Sequence, residues 1–248
     1  MSLLTYLLHL GDDALILGHR DSEWCGHGPV LEQDIALTNI ALDLIGQARL
    51  FYQYAAEVKG EGATEDSLAY LRDAYDFRNC LLVEQPNGDW AHTILKQFFF
   101  SSYQYGLYQA LKHSRDAHLS AIAGRSLKEV TYHLRWSGEW VVRLGDGTRE
   151  SRSRICKALD ALWMFTGELF RPAPYQRSLA EEGIGAAVGA LEGPWTEQVG
   201  KVFAEAGLDL PRTPAFQSGG KTGAHSEHLG YILSDLQFMQ RAYPGCTW

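Results

Sequence analysis

The chain has 248 residues, 46% of them hydrophobic and 21% charged, and a formal net charge of −8. That length supports one large core or two small ones. The acidic balance without clustered Lys and Arg excludes a nucleic-acid face, and no apolar run approaches the roughly 20 residues that span a bilayer.

Helical periodicity runs through most of the chain. The first helix is expected over about Leu3 to Arg20, where Leu3, Leu7, Leu10, Ala14 and Leu17 alternate four and three apart. The glycines and proline of 21–29, DSEWCGHGP, stop it. The second helix, Glu32 to Lys59, sets an apolar seam through Leu37, Ile40, Leu44, Ala48, Phe51 and Ala55 beside a polar line of Asn39, Asp43 and Gln47. A polar, irregular stretch from Glu61 to Asn87 holds at most short helices, near Asp66 to Arg72 and Asn79 to Val83. Asp89 to Lys112 forms the third long helix, with Trp90, Phe98, Phe99, Phe100, Tyr103, Tyr105 and Tyr108 on almost every side. Such a helix is buried all round, and part of its surface is expected to meet another chain.

The fourth helix, Leu119 to Leu144, carries Leu119, Ile122, Val130, Leu134, Val141 and Leu144 on one stripe and stops at Gly145. A fifth is expected from Ser153 to Phe170, ending before Pro172 and Pro174. Gly183 to Gly193 reads as a loop or ragged helix, Pro194 as the first position of a helix through Ala206, and Gly223 to Tyr243 as the last helix. No alternating strand pattern, internal repeat or linker divides the chain. The expectation is one all-α domain over 1–248.

The sharpest chemical feature joins the second and fourth helices. In a ferritin-like bundle, two core helices each carry Glu-x-x-His, which brings a carboxylate and an imidazole to one inward point for two metal ions. Here the matching pairs are Leu44 with Gln47 and Val130 with His133. Leucine and valine have no lone pair to give, and an amide is a weak ligand for iron. The fold class expected is therefore a ferritin-like four-helix-bundle core with additional helices, in which Leu44, Gln47, Val130 and His133 mark a degenerate metal site. No catalytic, cofactor-binding or metal-ligating residue is expected. Glu129 and His133, four apart, can alternatively pair as ions, with Lys128 and Arg135 close in sequence. The first two helices offer only Asp12, Asp13 and Asp43 as carboxylates at depth.

Three other clusters read as structural. His225, Glu227 and His228 have zinc-like spacing without a further ligand and are expected to cap the last helix. Ser218-Gly-Gly-Lys-Thr222 lacks the earlier glycine and the strand of a phosphate loop; its amides and Lys221 can hold an anion, though a helix-start turn is the plainer reading. Cys25 and His27 sit at a corner between helices. All four cysteines, Cys25, Cys80, Cys156 and Cys246, lack CxxC spacing, as in a reducing compartment. The amino-terminal segment has neither a positive n-region nor a small-residue cleavage site, and a cytoplasmic protein is expected.

The stretches EWCGHGP, NIALDLIGQAR, VEQPNGD, KEVTYHLRWS and GGKTGAHSEHLGYIL resemble the C subunits of bacterial phenylacetyl-CoA oxygenases, the ring 1,2-epoxidases of phenylacetate degradation. The likeness extends over essentially the whole chain. It implies a ferritin-like helical subunit without a working metal site, paired with a catalytic A subunit that carries the di-iron centre. A small B subunit and a reductase would complete the complex, with self-association inside the hetero-oligomer and no nucleic-acid or membrane partner. The alternative is an active di-iron or manganese oxidase built on Glu129, His133 and further carboxylates.

Overall fold

The computed structural model describes residues 2–246, and no strand occurs among the described residues. Four long helices dominate: α1 (Ser2–Ser22), α2 (Leu31–Lys59), α5 (Trp90–Leu111) and α6 (Ala117–Gly145). Short helices α3 (Glu65–Tyr70) and α4 (Leu81–Glu84) lie in the irregular stretch between α2 and α5. After α6 come α7 (Arg149–Leu162), α8 (Pro174–Glu181), α9 (Glu192–Glu205) and α10 (Glu227–Ala242). One cluster of buried apolar side chains runs from Tyr6 on α1 to Leu233 on α10.

Small residues set the approach of the first pair. Gly11, Ala14 and Gly18 recur three and four apart on the face of α1 toward α2. A Cβ on Gly11 would stand 2.7 Å from the Tyr52 ring, and one on Gly18 3.2 Å from Leu44. Larger residues would wedge the two helices apart. In the second pair, Gly138 of α6 faces the ring of Phe98 on α5. Side-chain oxygens close the helix starts: Asp89 accepts from the amide of His92, Asp116 from Leu119 and Thr148 from Ser151.

The aromatic helix α5 is buried on every side, but by its own chain. Phe98, Phe99, Phe100, Tyr103 and Tyr108 are almost wholly inaccessible. Phe99 meets Trp163, Trp195 and Phe203, and Tyr103 meets Phe170, so the segments after α6 supply the cover expected from another chain. Those segments also depart most from periodicity. The helix expected through Phe170 ends at Leu162 and tightens to a 3-10 form over Trp163–Phe170. There a Cβ on Gly167 would collide with the Ala215 carbonyl, so the close approach of that strap requires glycine. Pro174 opens α8 as its first residue instead of marking only a stop. Pro194 is the third residue of α9, not the first. The last helix begins at Glu227, four residues later than expected, because Gly219–Gly223 turns separately and Gly223 is left-handed at φ 90°.

The irregular segment 72–85 is tied to α1 by carboxylates. Asp12 accepts from the Tyr52 hydroxyl at 2.6 Å, from the Arg78 amide at 2.7 Å and from the Arg72 guanidinium. Asp13 accepts from the Cys80 amide at 2.7 Å. His9 donates through Nδ1 to the Arg78 carbonyl at 2.7 Å, which leaves Nε2 as an acceptor 3.5 Å from Asp13. Burial lowers His9 to about 3, and burial raises Asp13 to about 7. Below neutrality Asp13 therefore carries a proton beside a neutral imidazole.

This pairing predicts the pH dependence of stability. The unfolded chain protonates His9 below pH 6.5, its ordinary value, and ionises Asp13 above 3.8. Between about pH 4 and 6.5 the His9 contribution falls with acid while the Asp13 contribution falls with base, so the wild-type slopes offset each other. In Asp13→Asn the His9 contribution is no longer offset by its partner, and the slope of stability against pH should become more positive than that of the wild type by up to about 1.4 kcal/mol per unit. His9→Gln should change the wild-type slope in the opposite direction. Urea midpoints at three pH values in this window check both signs.

Candidate functional site

The expected motif positions face the space between α2, α5 and α6. Leu44 and Val130 are fully buried. Gln47 is buried too, and its whole amide is engaged. Oε1 accepts from Gln104 Nε2 at 3.1 Å and from the Tyr108 hydroxyl at 3.1 Å, while Nε2 donates to Glu129 Oε2 at 2.9 Å. One turn away, His133 Nε2 donates to Asp43 Oδ2 at 3.0 Å.

These contacts form two rungs. Asp43 and Gln47 lie four apart on α2, Glu129 and His133 four apart on α6, and the antiparallel helices join 43 to 133 and 47 to 129. Glu129 and His133 thus each reach across to α2 instead of pairing with one another. Lys128 and Arg135 point outward and join neither rung, and Asn39, the first member of the polar line, is exposed. Burial raises the Glu129 carboxyl above its ordinary value, opposed by the Gln47 hydrogen bond and reinforced by the charge of Asp43.

This donor set does not fit two irons. A dinuclear site needs carboxylates from four helices and two imidazoles. Leu44 and Val130 contribute none, and the Gln47 oxygen already has two donors. Of the four positions, only His133 has a free lone pair, on Nδ1: it is buried without a hydrogen-bond partner while Nε2 is oriented by Asp43, the arrangement a ligating histidine adopts. Among the described residues, no three His, Cys, Asp or Glu side chains converge as metal ligands. Surface grooves of about 610 Å³, beside Gly138 and Val202, and 540 Å³, beside Trp195, lie along α9 and contain none of the four positions.

The remaining sequence clusters are occupied from within. In 218–222 the amides do hold an anion, but it is Glu168. Its Oε1 accepts from Gly219 at 2.7 Å and Lys221 at 3.3 Å, and its Oε2 from the Leu81 amide at 2.7 Å. Lys221 Nζ is buried against the Leu169 carbonyl at 2.9 Å and the Arg171 carbonyl at 3.2 Å. His225 donates to Glu84 Oε2 at 2.9 Å and to the Phe77 carbonyl at 3.0 Å, while Glu84 Oε1 takes the Ser226 amide at 2.7 Å. Burial opposes a charge on His225, but Glu84 and the Phe77 carbonyl outweigh it and raise the imidazole above its ordinary value. His228 is not part of this cluster. Cys25 and His27 are exposed at the α1–α2 corner, where His27 Nδ1 bonds the Cys25 carbonyl.

Sequence reasoning missed Glu84, Glu168 and Asp21, all buried. Glu168 had a signal: it is the single charge in the apolar run WMFTGELF, where a carboxylate must find partners or remain in water. Asp21 lies near buried Lys96, and burial raises the acid to about 8.

The family described as "Phenylacetic acid catabolic protein" matches residues 1–248. The chain is 48% identical over 246 residues to the C subunit of the 1,2-phenylacetyl-CoA epoxidase of Escherichia coli (strain K12), covering 99% of each protein.

Because Glu168 satisfies three backbone amides in the interior, Glu168→Ala should strand them and leave the Lys221 charge uncompensated. A loss of about 3–5 kcal/mol is expected. Urea unfolding of the purified variant measures it, and a loss below about 1 kcal/mol would mean the segment 217–223 finds other partners.

Proposed function

The chain belongs to the phenylacetic acid catabolic protein family, and from that premise we propose that it is a non-catalytic subunit of a multicomponent 1,2-phenylacetyl-CoA epoxidase. In this reading residues 1–248 form one ferritin-like domain whose metal positions, Leu44, Gln47, Val130 and His133, have lapsed. The domain pairs in the cytoplasm with a di-iron catalytic A subunit, alongside a small B subunit and a reductase. It acts in aerobic phenylacetate catabolism by supporting that partner.

The observation that carries the reading is the engagement of Gln47. Where a ligand would project at metal, an amide joins Gln104, Tyr108 and Glu129. Two of these partners, Gln104 and Tyr108, are uncharged, and hydrogen bonds among such groups stabilise a bundle interior. Leu44 and Val130 fill the neighbouring volume with methyl groups. Such an interior keeps its shape with no ion bound, which suits a rigid scaffold. No helix among the described residues is long and apolar enough to cross a membrane.

Anaerobic loading with Fe(II), desalting and elemental analysis tests the assignment. Less than about one tenth of an iron per chain is expected, against the two that a di-iron site retains. Close to two irons would give the chain a site of its own and favour an independent di-iron oxidase. Co-purification with the catalytic subunit tests the second half of the reading.

A further inference from the structure

α2 is apolar on the side facing away from the core. Its buried stripe passes through Leu37, Leu44 and Phe51, yet the opposite stripe carries Leu31, Ile35 and Leu42, which are 71%, 52% and 61% exposed. Spacings of four and seven residues set these three on one line along the helix. Gly46, one turn farther, has open space where a Cβ would stand. A helix that lies on a core normally presents a polar outer face, and contiguous exposed apolar surface marks a contact surface.

The charges beside this ridge say what kind of surface it fits. α6 adjoins α2 through the two rungs, and its outer strip carries Arg125, Lys128 and Arg135, all exposed. None of the three makes a salt bridge or hydrogen bond among the described residues. Arg135 lies instead over the ring of Tyr132, with its guanidinium carbon 5.8 Å from the ring centre. In a chain of net charge −8, three cations without a carboxylate in salt-bridge contact along one strip are a local reversal of sign.

We propose that the outer face of α2, with the basic strip of α6, seats a helix of another subunit whose apolar stripe is flanked by Asp or Glu. The inference rests on the reading of this chain as a subunit and adds where the partner sits. A second copy laid antiparallel across this face about a twofold axis would set its basic strip against this one, where like charges repel. A partner with carboxylates at the rim gains from the same strip in encounter rate and in register. Burial of Leu31, Ile35 and Leu42 supplies the apolar centre, as interface cores are depleted of charge and their rims are polar.

The test is affinity for the co-expressed catalytic subunit of the same complex, measured with the full chain at two salt concentrations. Ile35→Glu and Leu42→Glu should each weaken binding by about tenfold or more, since a charge would be buried at the centre. Arg125→Glu with Lys128→Glu should weaken it and flatten the salt dependence. Tyr231→Glu, on α10 away from this face, should leave it unchanged. All are exposed positions, so unchanged thermal midpoints of the free variants show that folding is intact. Wild-type binding that survives Leu42→Glu within twofold would overturn this placement while leaving the subunit reading in force. Absence of wild-type binding would overturn both. A wild-type dimer dissolved by Leu42→Glu, with no affinity for the catalytic subunit, would make the occupant a second copy and overturn the proposed partner.

Discussion

Carboxylates that receive backbone amides hold the non-helical parts of this protein in place. A helix satisfies its own amides, whereas 72–85 and 206–226 have little regular structure to do so. Asp12 and Asp13 take the amides of Arg78 and Cys80, Glu168 takes those of Leu81, Gly219 and Lys221, and Glu84 takes that of Ser226. Each bond bridges segments distant in sequence. α1 and the turn after α7 thereby fix the segment that leads into α5 and the one that leads into α10. Burying four carboxylates is costly unless their lone pairs are used, and here backbone amides, Arg72, His225 and the proton that burial favours on Asp13 use them.

The interior between α2, α5 and α6 solves a different problem. A bundle that holds metal must point carboxylates inward and balance them with the ion. Leu44 and Val130 bring no carboxylate to their positions, and Gln47 joins three helices through uncharged hydrogen bonds on two of its three contacts. The Asp43–His133 rung has the orientation of a ligand with its supporting carboxylate, yet the lone pair of Nδ1 meets nothing. An unmet buried acceptor costs about 1–3 kcal/mol. Gln104 Oε1 and Ser126 Oγ, on α5 and α6, are likewise buried without a partner.

Burial also redistributes the chain's aromatic and aliphatic surface in a way that bears on assembly. The rings of α5, the richest aromatic stretch, are consumed by packing against Trp163, Phe170, Trp195 and Phe203. They are a core, and leave little to offer a partner. Apolar surface that the chain does not cover lies elsewhere, at Leu31, Ile35 and Leu42 of α2 and at Tyr231 and Phe238 of α10. A membership in a family of catabolic subunits and an uncovered helix face are consistent with one another at the level of physical need.

Much was legible in the residues themselves. Three-and-four spacing located the four long helices nearly to their ends, since amphipathic period is a local property that packing only confirms. The identities at 44, 47, 130 and 133 limited metal chemistry at once, because no fold can give leucine or valine a lone pair. Contacts between distant segments were beyond that reach. Pro174 reads as a stop until its neighbours show it opening α8, and Ser218–Thr222 reads as an anion-binding turn until Glu168 is found to be its anion. Whether an aromatic helix is covered by its own chain or by another depends on where α9 lies, which periodicity does not encode. The sequence by itself determined the helices and the absence of a lone pair at Leu44 and Val130; only the tertiary structure decided which buried charges meet, because their partners lie from about fifty to more than a hundred residues away along the chain.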